Sequence, residues 1–315
     1  MIDEHILSEE MIAKYKDIPR LTKEEERHLL ENKNDPAAQK KLVDAYMYYI
    51  LRVVRGHARQ QKDAHAPTLV EQGTNAFINA IEHYETRGHG FKFISYAIMW
   101  VKQATLKYIY ENHYFTDKRD RKMYRTVKIG EQVWMAQNLA YNAKGSKCYD
   151  DDENNGIKYG RLYDWDTAMK SCPDGWHLPS MEEWQTLIDF AGGTKVAGKK
   201  LRATDDWVYD EEKSTDDFGF AALPGGWADA WASYYLGEGG FWHSSSTFPK
   251  ADILVYTAMC RFSVFGVMNG VKNAMYSIRC IKNVNEEETF KTAELCLEFV
   301  PENLKEEVKN ATEAK

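Results

Sequence analysis

LVEQGTNAFINAIEHYETRGHGFKFISYAIMWVKQATLKYIY, residues 69–110, decides how the first third of the chain folds. Leu69, Ala76, Phe77, Ala80 and Ile81 recur at helical spacing and predict one helix over 68–84. Arg87-Gly88-His89-Gly90 interrupts it, and a second helix is predicted over 95–113. Leading into and along this second helix stand Phe91, Lys92, Phe93, Tyr96, Trp100, Lys102, Gln103 and Lys107. Aromatic rings interleaved with cations are what holds unstacked bases against a phosphate backbone.

Upstream, Thr22 followed by Glu25 forms a capping box for a helix that runs to Glu31 and stops at Asn34-Asp35-Pro36. Pro36 suits the first turn of the next helix, whose apolar positions are Leu42, Val43, Tyr46, Tyr49, Ile50 and Val53. Residues 1–116 thus read as a helical domain, and the charged, aperiodic run 117–125 as a basic linker. Tryptophan and glycine become dense from Thr126 onward, and TVKIGEQVWMAQNL, DFGFAALPGG and YSIRCIK read as strands and turns. Helical period survives there only over 164–170 and 180–190, so residues 126–283 read as an α+β domain. Residues 284–315 read as a charged helical tail divided by Pro301, similar to one unit of a helical repeat.

The fold class is therefore multidomain, all-α followed by α+β, as a length of 315 residues with 43% hydrophobic content permits. The chain has no apolar run long enough to span a bilayer, and its acidic start lacks a signal-peptide core, which predicts a cytoplasmic protein with no membrane partner. Five cysteines without a CxxC pair argue against a zinc site and against a complete disulfide framework. The net charge of −7 hides an asymmetry: residues 1–125 hold 21 basic and 18 acidic side chains, and residues 87–125 hold nine and three. A local basic strip on an acidic protein is a nucleic-acid footprint that the whole-chain balance conceals.

Residues 18–115 resemble region 2 of the sigma-70 family and the segment just before it. IPRLTKEEERHLL, LVDAYMYYILRVV, LVEQGTNAFINAIEHYE and RGHGFKFISYAIMWVKQATLKYI carry the likeness in order. The resemblance implies binding to core RNA polymerase through Glu71, Gln72, Thr74 and Ile78, and to single-stranded −10-like promoter DNA. In that reading Phe91 and Tyr96 stack a flipped base, Trp100 wedges the bubble edge, and Arg87, Lys92 and Lys102 hold phosphates. Ser95 lies on the same DNA-binding stretch, and Gln103 reads a base edge. Several positions depart from the family pattern: Met99 replaces one of a tryptophan pair, Thr68 an aspartate and Thr74 an asparagine, and Glu71-Gln72 is inverted. Nothing after Phe115 resembles regions 3 or 4, so no −35 reader is expected.

Residues 126–283 resemble the FISUMP family, whose fold is related to C-type lectins and formylglycine-generating enzymes. TVKIGEQVWMAQNL, KYGRLYDWDTAM, SCPDGWHLPSMEEW, FGFAALPGG, FWHSSS and YSIRCIK carry this likeness. It implies a recognition scaffold, with Trp134, Trp165, Trp176, Trp184 and Trp242 as rigid core pieces. Lectin-like variable proteins of diversity-generating retroelements place their binding surface late in the fold. By that likeness Phe248, Lys250, Asp252, Tyr256, Met259, Arg261, Phe262, Phe265, Met268 and Asn269 are expected to meet an unidentified protein or other ligand. Exported members carry a cysteine shortly before KYGRLY; here Asn155-Gly156-Ile157 leaves Cys148 without a partner, while Cys172 and Cys280 remain able to approach each other. The lost partner fits a reduced interior.

No enzyme, cofactor or metal is expected. His177 and His243 lack carboxylate partners at readable spacing, and the acidic run Asp150-Asp151-Asp152-Glu153 reads as a solvated loop. The expected function is a two-module binding protein acting in transcription initiation or its regulation. The alternative is a recognition protein whose sigma-like helices are only a scaffold.

Overall fold

A computed structural model describes residues 8–59, 61, 64–85, 92–210, 213–249, 251, 253–261 and 264–284. The tail read as helical over 284–315 lies outside these residues apart from Val284.

The N-terminal part is helical, as its periodicity predicts: α1 (Glu9–Lys16), α2 (Lys23–Glu31), α3 (Pro36–Ala58), α4 (Ala66–His83) and α5 (Phe93–His113). The starts follow from local chemistry. Thr22 and Glu25 complete the capping box of α2, and the Asp35 carboxylate accepts from Ala37 N ahead of Pro36 in α3. Leu42, Ile50, Val54, Leu69, Phe77, Ile81, Phe93, Ala97 and Val101 are buried together. Gly73 marks the closest approach, since a Cβ there would lie 3.1 Å from Val54 and 3.4 Å from both Ile50 and Val101. Only glycine lets three helices meet this tightly without displacement.

The segment read as a linker is folded back on itself. Strand β1 (Tyr114–Thr116) follows α5 directly and pairs antiparallel with β2 (Met123–Ile129), with Thr116 opposite Met123. Asp117 is buried in this hairpin and accepts from Arg119 Nη2 at 2.7 Å, while Arg119 also donates to Ser171 O at 2.8 Å. Gln61 Nε2 donates to Thr126 O at 3.0 Å, tying the helices to the first strands.

The C-terminal part is α+β with two five-stranded sheets. The first is ordered β1-β2-β3-β10-β4, adding β3 (Gln132–Met135), β4 (Trp176–His177) and β10 (Ile281–Lys282). The second is ordered β6-β5-β7-β8-β9, from β5 (Gly225–Ala228), β6 (Ser233–Leu236), β7 (Gly239–Thr247), β8 (Leu254–Arg261) and β9 (Val264–Val271). All its pairings are antiparallel except β5 with β7. Short helices α6 (Glu153–Tyr159) and α7 (Trp165–Ala168) lie between β3 and β4, with α8 (Met181–Phe190) and α9 (Thr194–Leu201) after β4. DFGFAALPGG is largely loop and only enters β5 at its final glycines; Gly226 sits at φ +64°, where a Cβ would fall 2.4 Å from Tyr234 O.

Trp134, Trp184, Trp242, Phe220 and Phe265 form the buried aromatic centre, and Trp176 is also buried, whereas Trp165 is half-buried. Among the polar residues buried in this part, Asn138 and Arg279 are bonded to each other. Asn138 Oδ1 accepts from Trp242 Nε1 at 2.8 Å and from Arg279 Nη2 at 2.9 Å, and Asn138 Nδ2 donates to Tyr159 O at 2.8 Å. Arg279 also donates to Phe220 O and lies 4.4 Å over the Phe220 ring; full burial pulls its guanidinium down to about 9. A buried cation persists only where such partners surround it.

Candidate functional site

Helix α5 has one face in the core, marked by Phe93, Ala97, Val101, Thr105 and Ile109 at steps of four. Helical geometry sets Lys92, Ser95, Tyr96, Met99, Trp100, Lys102, Gln103 and Lys107 on the remaining arc. Lys92, Ser95, Lys102 and Gln103 are exposed, and Met99 is 60% exposed. Tyr96 and Trp100 are half-buried at the border with α4. Trp100 stacks on His83, centroids 5.3 Å apart, and Tyr96 packs on both Trp100 (5.9 Å) and Tyr84 (5.5 Å). The result is an aromatic ledge flanked by cations, one edge supported by α4 and the other open. His83 and Tyr84 fall outside the residues expected on this surface; they close α4 and reach it through the packing of α4 on α5. Arg87 and Phe91 lie outside the described residues.

A groove of about 440 Å³ opens round α5 from the ledge, lined by Tyr49, Arg52, Val53, His57, Ile98 and Lys102. Thr105 Oγ1 donates to Val101 O and receives His57 Nδ1, both at 2.8 Å. Burial, aided by the Lys102 charge, lowers the His57 pKa, so its ring is neutral at pH 7. Arg52 thus joins Lys102 as a second cation on this groove.

On α4, Glu71, Thr74 and Ile78 fall at i, i+3 and i+7 on one face, with Gln72 a quarter turn away. Glu71 is exposed, the other three are half-buried, and Thr74 Oγ1 donates to Val70 O at 2.8 Å.

The late strands divide the residues expected there. Lys250, Asp252 and Phe262 lie outside the described residues. Phe265 is corrected: it is wholly buried, stacked on Trp242 at 5.6 Å with a 7° interplanar angle, and cannot meet a ligand. Register puts Tyr256 opposite Asn269 on the sheet face that carries Phe265, and there Phe248 packs against Tyr256 at 5.6 Å. Met259, Arg261 and Met268 occupy the opposite face. Met259 packs on Phe241 and Tyr276, and Arg261 donates to Glu238 Oε2 at 3.1 Å while lying 4.0 Å over Tyr235. Met268 and Asn269 are exposed. One sheet face therefore does not carry all the expected residues.

Two histidine expectations fare differently. His177 does acquire a carboxylate: its Nε2 lies 2.8 Å from Glu183 Oε1, and its Nδ1 2.6 Å from Asn283 Oδ1. Glu183 is committed elsewhere too, accepting Ser180 N at 2.8 Å in the capping box of α8. Its hydrogen bond raises the His177 pKa. His243 is wholly buried, its ring Nε2 bonds to the Tyr163 carbonyl at 2.7 Å, and burial lowers its pKa to about 4. Among the described residues no cluster of His, Cys, Asp and Glu could hold a metal ion.

Cys172 and Cys280 form a disulfide, whereas Cys148 and Cys260 are free and buried. Among the described residues no helix is long and apolar enough to cross a membrane. Residues 127–282 match the Fibrobacter succinogenes major domain, so the match runs from β2 to the end of β10 and takes in most of the α+β part. No curated protein matches the chain.

Proposed function

We propose that the chain is a non-enzymatic, two-module binding protein. Its helical module engages core RNA polymerase and single-stranded −10-like promoter DNA, and its C-terminal module, a C-type-lectin-like domain, recognises a protein or other ligand. The observation that carries the first half is the aromatic ledge of Tyr96 and Trp100, flanked by Lys92 and Gln103 on the open arc of α5, with Lys102 further round the helix on the groove. Rings backed by His83 and Tyr84 are preorganised, so stacking a base costs little further ordering. The nearby cations supply the sequence-blind attraction to phosphate. Glu71, Thr74 and Ile78 are the α4 residues offered to polymerase. On the C-terminal module, Met268 and Asn269 are the exposed ones among the described contact residues expected there.

Fluorescence anisotropy with a labelled single-stranded −10 oligonucleotide tests the DNA half. Binding that weakens with salt and with Trp100→Ala supports it; affinity equal to that for a scrambled duplex, unchanged by Trp100→Ala, rejects it.

A second reading keeps recognition and drops transcription. The Cys172–Cys280 disulfide favours it, because oxidising compartments preserve such bonds and a reducing cytoplasm does not. Ligand binding that survives removal of the helical module, with no affinity for polymerase, would select this reading.

A further inference from the structure

The groove between α3 and α5 combines an apolar lining with a cationic rim. Val53 and Ile98 line it half-buried, and the His57 ring beside them is neutral. Gly56 keeps it open, since a Cβ there would meet no atom within 4 Å. Arg52 and Lys102 are exposed on its walls. Arg55, on the same helix as Arg52, pairs with Glu9 at 2.9 Å, whereas among the described residues neither Arg52 nor Lys102 forms an ion pair. A small anion would neutralise the rim and leave the apolar lining in water. An uncharged apolar segment would cover the lining and leave two cations unanswered. An acidic segment with an apolar stripe satisfies both.

The chain carries such a segment after its last strand. Residues 286–300, EEETFKTAELCLEFV, hold five carboxylates against one ammonium. Phe290, Ala293, Leu297 and Val300 recur at i, i+3, i+7 and i+10, and Glu287, Glu294 and Glu298 fall along one border of that stripe. These residues lie outside the described ones, but the strand that delivers them does not.

The sheet brings that strand to the helices. Ile281 of β10 stands opposite Trp134, and Trp134 opposite Val127, so Ile281 is two strand spacings, about 10 Å, from Val127. The neighbouring Thr126 carbonyl is the one that accepts from Gln61, four residues beyond His57. Both β2 and β10 run antiparallel to β3 and hence parallel to each other. Tyr114, the first residue after α5, pairs with Arg125, so α5 enters at the end of the sheet toward which β2 and β10 both run. The six residues from Val284 to Phe290 can span about 20 Å in that direction.

We infer that residues 286–300 dock in the α3–α5 groove of their own chain, with the Phe290–Leu297 stripe on Val53 and Ile98 and the flanking glutamates on Arg52 and Lys102. Tethering favours this occupant over a second copy, because a short linker supplies an effective concentration in the millimolar range. The inference concerns a contact within the chain and holds whether or not the helices bind nucleic acid.

The test is disulfide trapping in the full chain. Cys148 and Cys260 are buried and Cys172 is bonded to Cys280, which leaves Cys296 as the fifth cysteine, inside the docking segment. Gly56→Cys places a thiol in the groove at an exposed position with room for it. Mild oxidation by oxidised glutathione at micromolar protein is expected to join position 56 to Cys296 within one chain, read by peptide mapping and non-reducing electrophoresis. Leu297→Asp, or Arg52→Glu with Lys102→Glu, should lower the trapped fraction severalfold, with helicity retained by circular dichroism. On the chain without the added thiol, Leu297→Asp should speed hydrogen exchange in the α3 and α5 segments that line the groove. No trapped product while Cys296 still reacts with a maleimide, a product only between two chains, a trapped fraction indifferent to Leu297→Asp, or exchange unchanged by it would overturn the assignment.

Discussion

Trp100 lies on His83 with ring planes 27° apart, so the last turn of α4 backs the most functionally suggestive ring of α5. This stacking leaves one indole face against protein and turns the rest outward. Trp100→Ala is expected to weaken binding of a −10 fork-junction DNA about tenfold or more, since base stacking is worth about 1–3 kcal/mol. His83→Ala should weaken it less, because it removes only the support. Fork binding by anisotropy, with circular dichroism to verify helicity, checks both.

Lys92 and Lys102 are assigned to phosphates and not to base edges. Replacing either with alanine should lower affinity for all single strands alike and reduce the log–log salt slope by about 0.7 for each phosphate left unneutralised. Affinities measured across a salt series for two unrelated sequences separate this from sequence readout.

Asn138 joins Trp242 and Arg279 in the interior, and its replacement removes one acceptor from a buried charge and from a buried indole. Asn138→Ala is expected to destabilise the α+β part by about 1–3 kcal/mol. Denaturant unfolding followed by tryptophan fluorescence measures this directly, and a loss below about 1 kcal/mol would show that Arg279 does not depend on Asn138.

The His177–Glu183 pair makes stability depend on pH with a definite sign. The His177 pKa is raised above 6.5, so its contribution is full below that value and fades as pH rises through the folded pKa. The Glu183 pKa lies below its ordinary 4.5, so its contribution is full above 4.5 and fades as pH falls through the folded value. The pair should therefore stabilise most between about pH 4.5 and 6.5. Both groups are partly exposed, which limits the effect to roughly 1 kcal/mol or less. Melting temperature against pH should peak in that window for wild type and flatten for His177→Gln.

Gly156 sits against Cys148, with its ideal Cβ 3.5 Å from the Cys148 Cβ, a separation that a disulfide spans. Gly156→Cys should therefore close a disulfide across this short loop and stabilise the oxidised protein by about 2–3 kcal/mol. The melting temperature should rise without reductant and fall back with it.

The helices were legible in the sequence because caps and apolar period fix them locally: Thr22 with Glu25, Asp35 with Pro36, and the stripe from Leu69 to Ile81 all stand as read. The cap at Ser180 is equally local. The interior of the α+β part was not legible, because Asn138 and Arg279 are 141 positions apart and no local pattern marks either as buried. Phe265 was misplaced for a related reason. Period two tells which strand residues share a face, but not that Trp242 covers the face carrying Phe265. The His177–Glu183 contact eluded the spacing because it spans the turn into α8. The hairpin at 117–125 was hidden by its charge: Asp117 looks solvated in sequence and is buried only because Arg119 closes over it.

Co-elution of the full chain with core RNA polymerase in low-salt gel filtration tests the transcriptional claim most directly. The expected result is a complex that survives purification and is weakened by Glu71→Lys or Ile78→Asp on α4. Separate elution of the two proteins at micromolar concentration, with the helical part intact by circular dichroism, would contradict it.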